Sequence, residues 1–211
     1  MDMLNTKEAI EKRRSIRKFK PDLIPDENIR ELLDSARLAP SGCNAQTWRF
    51  KIVKEAAVKA RLAEAAYNQG FIADAPAVIV CCADIQGYLD GTVSGVQDLG
   101  KVGALKDEMV TVLQGSADNL KAMDRSELVP IVAVNVAIAI EHIVLRALDF
   151  GLGSCWMRLF YEQKVKDLFE WPDNIYVVAL LPIGYPAEVP KARKRLALNF
   201  GAHLNAPSVL R

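Results

Sequence analysis

The stretch Arg13-Arg14-Ser15-Ile16-Arg17 sets three guanidinium groups and a hydroxyl around one apolar residue. A guanidinium is a planar fork of donors that matches phosphate, or the negative edge of a delocalised ring. Further along comes Pro40-Ser41-Gly42-Cys43-Asn44-Ala45-Gln46-Thr47-Trp48, a turn-rich loop running into a predicted strand. Amides both donate and accept, so Asn44 and Gln46 suit a ligand with mixed polar edges and hydroxyls. Read together, the two segments hold one anionic, hydroxyl-bearing cofactor. Taken alone, the arginine segment reads more readily as a solvated basic loop or a nucleic-acid patch.

Bulk properties narrow the choice. The 211 residues are enough for one sizeable core, with 51% apolar and 25% charged, an ordinary globular balance. Net charge is +1, from 27 basic and 26 acidic residues. That counts against broad electrostatic binding to nucleic acid or anionic lipid. The four cysteines, Cys43, Cys81, Cys82 and Cys155, form no C-x-x-C pair and no zinc spacing, so no metal site is expected. They read as free thiols in a reducing, cytoplasmic setting. The N-terminal residues carry no charged-then-apolar signal pattern. The apolar run Val129 to Ile140 is too short to span a bilayer and contains Asn135, so it reads as buried helix.

Local signals place the elements. Asn5 with Glu8 three residues on predicts a capped helix through Glu11, which delivers the chain to the arginines. Asp26 and Glu27 start a second helix with the stripe Ile29, Leu32, Leu33 and Ala36, closed by Pro40. Trp48 to Val53 alternates as a half-buried strand, Ala56 to Tyr67 reads as helix, and Pro76 to Ala83 as a strand covered on both faces. Residues 85–128, punctuated by glycines, are too long for a simple connection and read as a helical excursion or lid. Pro130 to Phe150 reads as a long helix, apolar nearly all round at first and stopped by Gly151-Leu152-Gly153. A short strand over Ser154 to Arg158, a helix over Glu162 to Phe169 and a buried strand over Ile175 to Ile183 follow. The residues thus predict one domain over 1–211, of α+β or α/β class.

Four anchors stand in order along the chain: Arg-Arg-Ser-Ile-Arg, Pro-Ser-Gly-Cys-Asn-Ala-Gln-Thr-Trp, Gly-Leu-Gly-Ser-Cys-Trp at 151–156, and Gly184-Tyr185-Pro186 before a basic cluster. Together they resemble the nitroreductase family of FMN-dependent NAD(P)H oxidoreductases. The resemblance implies an α+β, three-layer fold with a mainly antiparallel central sheet flanked by helices, and an intertwined homodimer. It further implies that Arg13, Arg14, Ser15 and Arg17 meet the FMN phosphate and ring edge. Ser41, Asn44 and Gln46 match a loop that in this family reaches the flavin of the partner subunit. Ser154, Cys155 and Trp156 match the segment lying against the ring, and Lys191 and Arg193 the C-terminal phosphate contact. The second anchor departs from the family at Thr47, where proline is usual, a change expected to loosen the loop.

The implied chemistry is ping-pong: hydride passes from NAD(P)H to flavin N5, then to a nitroaromatic, quinone or activated alkene. A cation near the ring's N1–C2=O edge favours the reduced flavin, and Arg17 is the choice for it. No G-x-G-x-x-G follows a predicted strand, so a Rossmann dinucleotide site is not expected. No side chain stands out as proton donor. Reductive dehalogenation under a closing lid is a rival on the same fold, and nucleic-acid binding through the two basic clusters a remote one. Cys43 and Cys155 lack a resolving partner and read as structural. His142 reads as a packing or capping residue, and His203 has no constellation around it. Asn68-Gln69 suits either the flavin site or an ordinary polar loop, and Arg158 reads as a surface salt bridge.

Overall fold

In the computed structural model, which describes residues 4–196, the chain is built around one antiparallel sheet. The elements run α1 (Thr6–Lys12), α2 (Asp26–Arg37), β1 (Trp48–Val53), α3 (Ala56–Ala65), α4 (Phe71–Asp74), β2 (Ala77–Asp84) and α5 (Ile85–Lys101). Then come α6 (Asp107–Ala122), α7 (Arg125–Arg146), β3 (Gly153–Ser154), α8 (Glu162–Phe169) and β4 (Ile175–Gly184). Strand order is β1-β2-β4-β3, and each described pair is antiparallel.

The continuous apolar run of β2 is explained by its central position. Ala77, Ile79, Cys81 and Ala83 enter one core cluster, and the alternate residues Val78, Val80 and Cys82 enter the other. The first cluster lies under α2, α5 and α7, and the second under α3 and α8, giving three layers. Opposite Cys81 and Cys82 the β4 register slips by one residue, a bulge that turns both Val178 and Ala179 toward the first core. Pro182 sits within β4, but its backbone faces the short strand β3, where its carbonyl accepts from the Cys155 N–H at 3.1 Å. The donor it lacks is therefore missing on the sparsely paired side.

Local capping sets α1 and α7. Asn5 and Glu8 form the expected reciprocal capping box. The same device at Asp124 and Glu127 starts α7 at Arg125, five residues ahead of the expected start at Pro130. Pro130 is carried inside the helix, because the cap and the buried Leu128 outweigh the one backbone bond it removes. A tighter turn over Ala147–Phe150 and a left-handed Gly151 (φ 68°) close the segment. Arg125–Phe150, which contains an 18-residue window of mean hydropathy 2.2, is long and apolar enough to cross a membrane, unlike the shorter run read from sequence. Here, however, Val132, Val136, Ala139, Ile140 and Ile143 are fully buried against the sheet and α2.

Three further boundaries differ from expectation. The α3 helix stops at Ala65, and Tyr67 and Asn68 turn left-handed instead of extending it. The strand expected over Ser154 to Arg158 is two residues of β3 plus an isolated bridge at Met157. Residues 85–122 fold back as the α5–α6 pair, in which Val110 packs on Gly100.

Candidate active site

Three of the four anchors meet at the β3 edge of the sheet. The arginine segment runs alongside β3, with the Ile16 N–H donating to the Ser154 carbonyl at 2.9 Å. Ile16 is buried while its neighbours stay half-buried or exposed, so one apolar residue moors the cationic stretch. The mooring continues into the fourth anchor: the Lys20 N–H donates to the Tyr185 carbonyl at 2.8 Å, and the Ala187 N–H to the Lys18 carbonyl at 2.9 Å. The Arg17 N–H is taken by the Glu188 carboxylate at 2.9 Å.

This backbone zipper brings the two basic clusters into one cleft of about 430 Å³. Arg13, Arg14 and Arg17 line it from one side and Lys191, Arg193 and Arg195 from the other, with Glu11 the acidic residue among them. Among the described residues, none of these six cations forms an ion pair. A recess lined by six cations against one carboxylate focuses positive potential on an incoming anion. The Arg14 guanidinium is pre-set, donating to the Glu11 carbonyl at 2.6 Å and the Arg13 carbonyl at 2.8 Å. Arg17 lies with its guanidinium 6.0 Å from the centroid of the Phe71 ring. Phe71 and Arg195 were not singled out by sequence; Arg195 had a signal in the basic tail, but Phe71 had none.

Ser154 and Cys155 are buried here and Trp156 half-buried. The amides of Cys155 and Met157 both donate toward β4, so alternation turns the Trp156 backbone to the other side. Burial pushes the Cys155 thiol up, and the nearby charges of Arg17 and Arg13 only partly offset it. Cys81 is likewise pushed well up by burial, and Cys82 to about 12. These thiols stay protonated, in keeping with structural roles.

The second anchor is elsewhere. Ser41, Asn44 and Gln46 precede β1, at the opposite edge and opposite end of the sheet, roughly 20 Å or more away by strand spacing and rise. The expectation that they share one cofactor with Arg13–Arg17 is therefore not met within a single chain. The loop is sharply wound: Cys43, Asn44 and Gln46 all hold left-handed backbones, at φ 50°, 54° and 49°. For residues with a β-carbon that costs about 1 kcal/mol or more each, held only by surroundings that over-determine it. The Ser41 hydroxyl accepts from the Gln46 N–H at 3.0 Å, and the Asn135 carboxamide oxygen accepts from the Gly42 N–H at 2.8 Å. From the other side α5 presses in: a β-carbon on Gly91 would stand 2.6 Å from the Ala45 carbonyl oxygen, and one on Gly95 would collide with the Cys43 carbonyl. Thr47 does not loosen the loop. It is fully buried, donating its hydroxyl to the Asp84 carbonyl at 2.7 Å and accepting the Asp84 N–H at 2.9 Å.

The remaining residues settle outside the cleft. Arg158 forms no salt bridge among the described residues and instead donates to the Tyr176 hydroxyl at 3.1 Å. His142 packs with Nδ1 3.0 Å from the Ser35 carbonyl. Gln69 donates to the Ala66 carbonyl at 3.1 Å, as an ordinary turn residue does. His203 lies outside the described residues.

Known proteins resemble this chain along nearly its whole length. An NADH dehydrogenase of Thermus thermophilus is 32% identical over 202 residues, covering 94% of this chain and 95% of that protein. An FMN reductase (NADPH) of Bacillus subtilis is 26% identical over 209 residues, covering 98% of this chain and 76% of its own length. The crystal structure of a nitroreductase in complex with FMN from Exiguobacterium sibiricum 255-15 aligns with TM-score 0.77 and 25% identity, covering 93% of this chain and 95% of that one. The family model that matches, for the nitroreductase family, spans residues 10–185. That span begins in α1 before the arginines and ends just past β4, so the sheet and the first three anchors come with it: the chain belongs to the nitroreductase family.

Proposed function

We propose that this protein is a cytoplasmic, homodimeric FMN-dependent oxidoreductase. In this reading it uses NAD(P)H to reduce a nitroaromatic, a quinone or an activated alkene. The observation that carries it is the meeting of Arg13, Arg14 and Arg17 with Lys191, Arg193 and Arg195 in one cleft. These residues fit FMN, whose phosphate carries near two negative charges and is suited to several guanidinium forks. When bound, FMN supplies hydride transfer, taking it from NAD(P)H and giving it to the acceptor in a ping-pong sequence. The protein's part is to bind and orient. Arg13, Arg14, Lys191 and Arg193 hold the phosphate, Ser15 adds a hydroxyl, and Arg17 places positive charge at the ring edge. The Ser154-Cys155-Trp156 segment, zipped to Ile16, offers its backbone to the ring.

A dimer completes the site in this reading. The outer face of α7 leaves Ile131, Val134, Ile138 and Leu145 partly or largely uncovered, with Val134 61% and Ile138 37% exposed. Their spacing of three, four and seven is that of a helix–helix seam. Asn44 and Gln46 are exposed at the far corner of the sheet, free to reach a partner's cleft. The α5–α6 pair, whose outer helix buries only Ala117 among its own residues, serves as the lid. The relatives named NADH dehydrogenase and FMN reductase (NADPH), and the neighbour solved with FMN, support the same reading.

The purified protein, or the protein after FMN is added, is expected to be yellow with about one flavin per subunit. Failure to retain FMN at micromolar concentrations overturns the reading. An acceptor screen including a halophenol then separates simple reduction, with no halide release, from reductive dehalogenation.

A further inference from the structure

The amide-bearing loop is held by a side chain that the cofactor reading does not use. Asn135 is 8% exposed on α7. Its Nδ2 donates to the Ile131 carbonyl at 3.0 Å, and its Oδ1 accepts the Gly42 N–H at 2.8 Å. The two bonds fix the amide's orientation without ambiguity, since one partner is an acceptor and the other a donor. Asn135 thus spans two surfaces. It lies between Ile131, Val134 and Ile138 in sequence, the residues that leave the outer face of α7 uncovered, yet it points inward to the loop. Opposite it, α5 closes on Ala45 and Cys43 through Gly91 and Gly95. The left-handed residues Cys43, Asn44 and Gln46 are therefore clamped between α5 and α7.

We propose that Asn135 is a positioning residue for the cofactor site: it ties the Ser41–Gln46 loop to the helix that forms the dimer seam, so that the loop is presented to the partner's FMN in a fixed shape. This rests on the dimeric FMN reading above. Asn135 touches no ligand and acts through the Gly42 N–H.

The test compares the full-length protein with Asn135→Ala and Asn135→Leu. Both leave the Gly42 N–H without its acceptor, and leucine keeps the side-chain volume, so the lost bond is separated from a cavity. Amide exchange over 41–46 in the FMN-free protein and the Kd for FMN are both measured, alongside Tm. Both variants are expected to speed loop exchange and weaken FMN binding by about tenfold each. An alanine variant that lowers Tm but leaves loop exchange and FMN affinity unchanged overturns the proposal, and so does a leucine variant that matches the wild type in both. If the wild-type protein does not bind FMN, the cofactor reading falls and Asn135 with it as a cofactor-positioning residue. Loop exchange then reports only whether it holds the loop.

Discussion

The basic cleft and the amide-bearing loop lie at opposite corners of one sheet and are built on opposite principles. The cleft is finished within one chain: segments from both ends are laced backbone to backbone, and six cations surround a recess without ion-pair partners among the described residues. The loop has little charge of its own. It is wound into left-handed turns and pinned by Asn135 and α5, yet its exposed amides lie far from the basic cleft of the same chain. One region attracts by charge and tolerates looseness. In the proposed dimer the other recognises by shape, and is useful there only when rigid.

Removing charge from the cleft is expected to have the largest effect. Replacing Arg193 by Ala deletes one charge-assisted contact worth roughly 1.5–3 kcal/mol, so FMN binding should weaken by about tenfold to a hundredfold. Adding Arg14→Ala should multiply the loss and flatten the salt dependence of a fluorescence titration. Unchanged affinity in both variants would mean the phosphate lies elsewhere. Next comes separation of the subunits. Val134→Glu sets a carboxylate in the proposed apolar seam and is expected to give monomers by sedimentation, with FMN affinity reduced by about tenfold while the cleft's own charges are intact. A monomer that binds FMN as tightly as the wild type would show that the loop contributes nothing across the seam. The smallest effect on FMN affinity is expected from Gly95→Ala, although its methyl group would collide with the Cys43 carbonyl and force backbone to move. Such overpacking costs at least about 1–3 kcal/mol and should appear as a clear fall in Tm, with FMN affinity lost only as far as the loop shifts. Undiminished stability would mean that α5 yields easily and the loop is less firmly clamped than its contacts imply.

Much of this was legible in the sequence where the controlling physics is local. The Asn5–Glu8 capping box, the alternation of Trp48 to Val53 and the span Glu162 to Phe169 match the structure because each depends on neighbours along the chain. The helix α7 starts at Arg125, ahead of the expected Pro130, because the Asp124–Glu127 capping box, equally local and equally present in the sequence, sets it. The glycines of 85–128 read as punctuation in a helical excursion. Gly91 and Gly95 sit inside its first helix and also permit contact with a loop far away in sequence, which periodicity does not record.

By itself the sequence determined the strands and helices, the family and the kind of ligand its cationic segments suit, because caps, alternation and side-chain chemistry act over a few residues. Tertiary structure decided which corner of the sheet each segment occupies. The two basic clusters come together only because β3 and β4 bring Ser154 and Tyr185 beside the arginines, and the amide loop is kept apart by its place at the start of β1. The grip of Asn135 on Gly42 joins residues separated by 93 positions, a contact that folding alone creates.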